Sequence, residues 1–282
     1  MIIQSIGDCL FSGTYNIHSQ FEKVVNYSCG NNLLSFVEVE IGNSPVNIVV
    51  NNIDDLKQIV QISLSKQELI CDSKIYALQN STQYNSDIEE INFNENIILK
   101  NIKKLQSILV KHASPLSLAF VFDKSRENNF ISSFEKNFLQ KVKSAINKFD
   151  EGKIIEGIKL IRRCGFGLTP SGDDFIAGML NALFLIEKIS KQHNFATLRN
   201  EIYLTSKTEN IISQNAIYFA SKGRFNEVFK NLLFSLNDEN DELLQQSAIK
   251  FLQSGESSGA DTLSGFLFTV VAIQLSDSLI IL

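Results

Sequence analysis

Two short segments carry the side chains best suited to chemistry: Ser171-Gly172-Asp173-Asp174 and Ser258-Gly259-Ala260-Asp261. Each sets a hydroxyl three residues ahead of a carboxyl with a glycine between them, and each runs into an apolar stretch of helical character. Residues 171–178 align on 258–265 without a gap; Ser, Gly, Asp and a second Gly recur at a constant offset of 87 residues. Carboxylates and hydroxyls are hard oxygen donors of the kind magnesium takes. Main-chain amides at a helix start suit a phosphate or carboxylate, and Ser or Asp ahead of a helix also serves as a plain cap. Three readings stand together: two structural caps, a pocket for a small anionic metabolite, and a magnesium-dependent form of that pocket.

In the first copy, Gly165 and Gly167 can turn the backbone where a side chain would clash, and Pro170 favours an extended Thr169. Asp174 and Gly178 are four apart, as are Asp261 and Gly265, so each pair shares a helix face on which a neighbouring helix or ligand can come close. If the two loops converge, Asp174 and Asp261 are the catalytic acids, and Asp173, Asp174 and Asp261 are the ligands for magnesium. Gly167, Thr169, Ser171, Gly172, Ser257, Ser258 and Gly259 are then the substrate-binding positions, with Glu256 beside them. Arg162 and Arg163 precede the first copy and offer bidentate contacts to an anion, against the alternative of a solvated helix end.

Among the histidines at 18, 112 and 193, His18 is the candidate for an acid/base or a substrate donor; the other two sit at polar junctions. Cys164 is either a nucleophile or a small buried thiol. Thr205, Ser206 and Thr208, with Lys207 and Lys222, flank a further helix, as a loop that closes over ligand or as its cap.

Several classes are disfavoured. Gly165 and Gly167 are followed by Leu-Thr-Pro in helical surroundings, without the strand that a dinucleotide fingerprint requires, and no Gly-Lys-Ser/Thr phosphate loop occurs. Cysteines 9, 29, 71 and 164 form no Cys-x-x-Cys pair, which points away from zinc and toward a reduced, cytoplasmic setting. A net charge of -5 offers nothing to a nucleic acid backbone, and Lys100, Lys103, Lys104 and Lys111 read as the wet side of a helix. The N-terminus shows no signal-peptide pattern. The apolar tracts 176–189 and 263–275 are interrupted and short for a membrane span, so neither a membrane nor a nucleic acid is an expected partner. A homo-oligomer is compatible with this composition.

The elements that must hold these residues divide the chain in two. A mainly β region spans 1–123: strands over 2–6 and 21–26, a hairpin of 33–39 and 46–50 around Gly42-Asn-Ser-Pro45, a helical stretch at 54–62, a short strand at 75–78, a helix at 97–111 and a strand at 116–122. From 130 to 282 the pattern is helical, with segments at 134–149, 153–163, 174–189, 208–222, 225–235, 239–253 and 261–275. The fold class is therefore α+β, an N-terminal mainly β region packed with a C-terminal helical one.

At Gly167-Leu-Thr-Pro-Ser-Gly-Asp-Asp-Phe-Ile-Ala-Gly178 the chain resembles a bacterial family of formerly unknown function. Some members of that family resemble a subunit of the oxamate carbamoyltransferase system of anaerobic allantoin breakdown, a branch of purine catabolism. The later Ser257-Ser-Gly-Ala-Asp261 matches its second signature, and the similarity extends to His18-Ser-Gln-Phe21, Val25-Asn26, Gly30–Leu34 and Gly42–Val46. Phe166 departs from the family's Gly-x-Gly-Pro-Gly pattern, which puts the shape of the substrate in question. The resemblance implies carbamoyl transfer between an oxamate-type carboxylate and phosphate or carbamoyl phosphate, together with carbamoyltransferase partner subunits. Two alternatives are a noncatalytic ligand-binding or scaffold subunit of a metabolic complex, and a magnesium-assisted enzyme acting on another small anion.

Overall fold

The computed structural model describes residues 2–79, 81–88, 91–190 and 193–280, and side chains through 273. It is an α+β fold of two units: residues 1–88 with 224–230, and residues 89–223 with 231–282. Among the described residues no helix is long and apolar enough to cross a membrane.

The first unit is one mixed sheet. Its strands are β1 (Ile3–Gly7), β2 (Gly13–Gln20), β3 (Val24–Cys29), β4 (Asn32–Glu38), β5 (Asn47–Val50), β6 (Gln61–Leu64), β7 (Glu68–Cys71), β8 (Lys74–Ala77) and β9 (Thr82–Tyr84), in the spatial order β8-β7-β6-β2-β3-β4-β5-β1-β9. Alternation along the strands sends Tyr15, Val25, Tyr27, Leu34, Phe36, Ile48 and Val50 into one core. Their neighbours Asn26, Ser35 and Asn47 fall on the opposite face, in register across β3, β4 and β5.

Two local expectations fail here for long-range reasons. The segments 33–39 and 46–50 are both strands, but β4 and β5 run parallel, so they are not a hairpin. The intervening loop spends its polar groups elsewhere: the Cys9 amide donates to the Pro45 carbonyl, the Ser5 hydroxyl to Asn43, and both nitrogens of Asn43 to Glu227. Nor is 54–62 a helix: a 3-10 turn at Asp54–Gln58 gives way to β6. The buried Tyr27 hydroxyl donates to the carbonyls of Leu56 and Ile59 and fixes that turn.

The second unit is helical: α1 (Glu95–His112), α2 (Ser133–Asp150), α3 (Ile154–Ile161), α4 (Ser171–Ile189), α5 (Ala196–Ser206), α6 (Ile211–Ser221), α7 (Glu227–Leu236, whose first residues lie in the other unit), α8 (Asp241–Leu252) and α9 (Ser258–Ile280). α4 is its axis, buried on all sides from Ser171 to Leu185, as expected of a helix apolar around its circumference. Phe138, Val142, Phe149, Ile158 and Ile161 from α2 and α3 close around it, and Phe149, Phe175 and Phe268 form an aromatic cluster that joins α2, α4 and α9.

The segment 116–122 is not a strand. Residues 118–121 make a 3-10 turn, with Leu118, Ala119 and Phe120 buried among helices where no strand ladder exists to satisfy an extended backbone.

α4 and α9 are the two copies of the repeat, and they cross backbone on backbone. A Cβ on Gly178 would stand 1.9 Å from the Thr262 carbonyl oxygen, and one on Gly265 would stand 2.0 Å from that of Phe175. Since 178 and 265, and 175 and 262, are each 87 apart, the contact is reciprocal: each copy's second glycine receives the other copy's carbonyl. Gly178→Ala or Gly265→Ala is expected to cost at least the ~1–3 kcal/mol typical of overpacking, because the obstructing atoms are main chain. Denaturant unfolding of either variant measures it, and an unchanged midpoint would refute the crossing.

Candidate functional site

The two motifs sit at the starts of these crossing helices. α4 begins at Ser171, behind Pro170 at the cap, so the motif lies inside the helix and not in a loop ahead of it. Neither Ser171 nor Asp173 caps that helix, contrary to the expectation from residue type. The reason lies in the loop that precedes it. Arg163 (φ 59°), Gly165 (φ 118°) and Gly167 (φ 85°) are all left-handed, which wraps 162–170 back against the helix start. A Cβ on Gly165 would meet Ser171 at 2.7 Å.

The loop takes up three of the helix-end amides. Gly172 donates to the Cys164 carbonyl, and Asp173 and Asp174 donate to that of Pro170. The second copy behaves alike: Gly259 donates to Ser254 and Asp261 to Ser257. Gly172 and Gly259 are small because each helix start presses on the end of the helix before it, at the Ile161 carbonyl of α3 and the Phe251 carbonyl of α8. The amides of Gly172, Asp173, Asp174, Gly259 and Asp261, which the sequence suggests as part of an anion cradle, are therefore already bonded within the chain.

The carboxyls converge. Asp174 and Asp261 are 5% and 0% exposed and interact directly, their like charges opposing one another. The hydroxyls cross over, Ser171 facing Asp261 and Ser258 facing Asp174. The approach of Ser171 to Asp261 stops short of a well-aligned hydrogen bond, leaving Ser171 Oγ and Asp261 Oδ2 buried without one. Asp261 Oδ1 accepts the Leu118 amide at 2.6 Å, and Asp174 Oδ2 accepts the Thr169 hydroxyl at 2.9 Å.

Loss of solvent is the largest effect on both groups. It pushes Asp174 well above the ordinary carboxyl value, with the Asp261 charge adding to it, and pushes Asp261 up to about 7 against the pull of Leu118, Ser257 and Ser171. Asp173, also raised by burial, turns to another partner: its Oδ1 takes the Arg163 amide at 2.7 Å, which fixes the strained turn.

The remaining candidates separate from this pair. Arg162 donates to the Thr205 carbonyl and Arg163 to that of Lys207, so both arginines tie the loop to the end of α5. Ser257 reaches Asp261 through its side chain and its carbonyl. Thr169 is half-buried and Gly167 exposed, placing the loop surface on the outer side of the acid pair. Burial pushes the Cys164 thiol up, and its Sγ donates to the Leu160 carbonyl, a setting that does not favour a thiolate. Thr205 and Ser206 end α5, and Asn210 is the side chain that caps α6. Asn210 also donates to the Leu168 carbonyl, a brace on the signature loop that sequence reasoning missed; Asn before a helical run was its only signal. His18 lies on β2 in the first unit, exposed. His112 ends α1, and His193 stacks on Phe195.

Among the described residues no group of three or more His, Cys, Asp or Glu side chains gathers as metal ligands. Magnesium keeps several of its waters when bound, and a carboxyl pair this deeply buried does not fit it, so no step is routed through the ion.

The raised carboxyls make a stability prediction. A carboxyl whose folded pKa lies above its unfolded value binds its proton more tightly when folded. Its contribution is full below the ordinary value of 3.8 and is lost as pH rises through about 7. Between pH 4 and 7 each such proton can remove up to about 1.4 kcal/mol per pH unit. Asp261→Asn, which keeps an acceptor for Leu118, is expected to flatten that slope in urea unfolding measured across the range; an unchanged slope would show that Asp261 is already ionised at low pH.

No curated protein and no solved structure matches the chain. Residues 163–270, from the start of the signature loop through most of α9, match the family model described as Oxamate carbamoyltransferase subunit AllH.

Proposed function

We propose that this chain is a subunit of a carbamoyltransferase complex acting on an oxamate-type carboxylate, with phosphate or carbamoyl phosphate as the second reactant, and that Asp174, Asp261 and Thr169 hold and deliver the proton the transfer needs. The family match over 163–270 supports the reaction class. The observation that carries the residue assignment is the convergence of the two motif acids into one buried pair with raised affinity for a proton.

Transfer toward phosphate breaks the bond between the carbamoyl carbon and the amide nitrogen of the oxamate unit and forms one from that carbon to a phosphate oxygen. The departing nitrogen takes up a proton, and the reverse reaction returns it. A carboxyl poised near neutral pH suits both directions. The Thr169 hydroxyl donates to Asp174 Oδ2 at 2.9 Å; for delivery it turns, accepting the Asp174 proton at Oγ1 as it gives its own hydrogen to the departing nitrogen. Arg163, exposed beside the loop and anchored at Lys207, supplies a cation for the carboxylate. The partner subunits of such a complex, and a cytoplasmic setting, belong to the same proposal.

A scaffold role is the second reading, favoured by one set of contacts: Asp173, Asp174 and Asp261 each accept a hydrogen bond that also fixes a loop. Thr169→Val separates the two, since it removes a hydroxyl and keeps the shape. In the complex reconstituted with its partner subunits and assayed with oxamate and carbamoyl phosphate, the proton-delivery reading expects kcat to fall about tenfold or more, with KM and Tm little changed. A fall in Tm with kcat retained supports the scaffold.

A further inference from the structure

A second polar centre lies in the first unit, and the class of ligand assigned to it rests on the carbamoyl-transfer reading. β2 pairs with β6 over 13–16 and with β3 over 16–20, so the two ladders overlap at Asn16; the Ile17 amide still reaches the Val60 carbonyl, and beyond that point β2 has β3 as its partner. Its register on β3 slips at this place. Ile17 is opposite Tyr27 and Ser19 is opposite Asn26, so His18 is the extra residue of a bulge. Bulges re-aim side chains and are frequent beside functional sites. This one moves Ser19 into the position opposite Asn26 that His18 would otherwise take, and leaves the histidine exposed.

Behind the bulge runs a continuous relay into the sheet. The Ser35 hydroxyl donates to Asn26 Oδ1 at 2.7 Å, Asn26 Nδ2 donates to Ser19 Oγ at 3.0 Å, and Ser19 Oγ lies 3.0 Å from His18 Nδ1. Asn26 and Ser35 are buried, in direct register on neighbouring strands. A carbonyl oxygen can only accept, so Ser35 donates and orients the Asn26 amide; Asn26 then donates to Ser19. Ser19 keeps its one hydroxyl hydrogen, and giving it to His18 Nδ1 completes the relay outward. A neutral imidazole that accepts at Nδ1 carries its proton on Nε2.

We propose that His18 is a substrate-facing hydrogen-bond donor: the bulge aims it outward, and the Ser35–Asn26–Ser19 relay holds it as the Nε2–H tautomer to receive the oxygen of a small carboxylate or carbonyl compound. Ser19, Asn26 and Ser35 are positioning residues that act through it. The relay explains why the sheet buries Asn26 and Ser35 on adjacent strands, and of the two roles that its residue type suggests, acid/base and donor, it gives His18 that of donor.

Long-range proton–nitrogen NMR spectra of the full-length ¹⁵N-labelled chain test this, with His18→Gln used to assign the resonances. The neutral ring of His18 should show a protonated Nε2 and a bare Nδ1. Ser19→Ala and Ser35→Ala, each of which removes one hydroxyl, should turn that single form into a mixture of tautomers. Adding oxamate should move the Nε2–H resonance saturably against a chloride-matched control, with affinity weakened about fivefold or more in Ser19→Ala. A proton on Nδ1 would mean that His18 donates to Ser19 and the relay does not run outward, which overturns the proposal. An equal tautomer mixture in the unaltered chain, or an Nε2–H resonance indifferent to oxamate, also overturns it.

Discussion

The contact on which the second unit depends is the crossing of α4 and α9 with no side chain between their backbones. At Gly178 and Gly265 the space for a methyl group is taken by main-chain carbonyls of the opposite helix. Approach this close is what carries Asp174 and Asp261, one turn nearer the start of each helix, into each other's field and out of water. Separating the helices by the width of a methyl group would admit solvent and remove the cause of the raised carboxyls. The small residue and the acid are thus parts of one device: the glycine sets the distance and the distance sets the acidity.

Burying carboxyls is expensive unless donors meet them. The chain meets the cost by making each acid the anchor of something else. Asp173 holds the Arg163 amide in its left-handed turn, Asp174 holds Thr169, and Asp261 holds the amide of Leu118 at the start of a buried 3-10 turn. Cohesion and the proposed chemistry therefore draw on the same atoms, and a substitution at an acid removes a buried carboxyl where one at Thr169 removes a single hydrogen bond.

The sequence makes this centre unusually legible. A gap-free internal match is a long-range signal, and the recurrence of Asp and Gly four residues apart already says that one helix face must admit something close. What it admits, the other copy, follows only from the fold. Short-range signals fared worse wherever a distant atom intervened. Gly42-Asn-Ser-Pro45 has hairpin chemistry, yet Glu227, far along the chain, takes the Asn43 nitrogens, and the strands on either side of the loop run parallel. The apolar 116–122 has strand composition, but a carboxylate from α9 caps it as a turn. Ser171 has the type of a cap; three left-handed residues ahead of it fold the chain back so that the amides find carbonyls instead. The apolar runs 33–39 and 46–50 are strands as their composition suggests, whereas β2, β7 and β9 go unannounced and β6 begins inside a stretch of helical periodicity, since composition reports burial and pairing depends on distant backbone.

The repeat is equal in its helices and unequal in its loops, and the inequality gives the two acids different partners. Position for position, Thr169 corresponds to Glu256, Pro170 to Ser257 and Asp173 to Ala260. Behind the first loop, Asp174 meets a side-chain hydroxyl that can rotate, on a stretch whose Gly167 and Leu168 are exposed. In the second copy, Asp261 is wholly buried, accepts the Leu118 amide and is also reached by the Ser257 hydroxyl. Thr169 has Glu256 as its counterpart, so the hydroxyl that meets Asp174 from the loop belongs to the first copy alone. Two copies of a motif need not share a role once their crossing has made them neighbours.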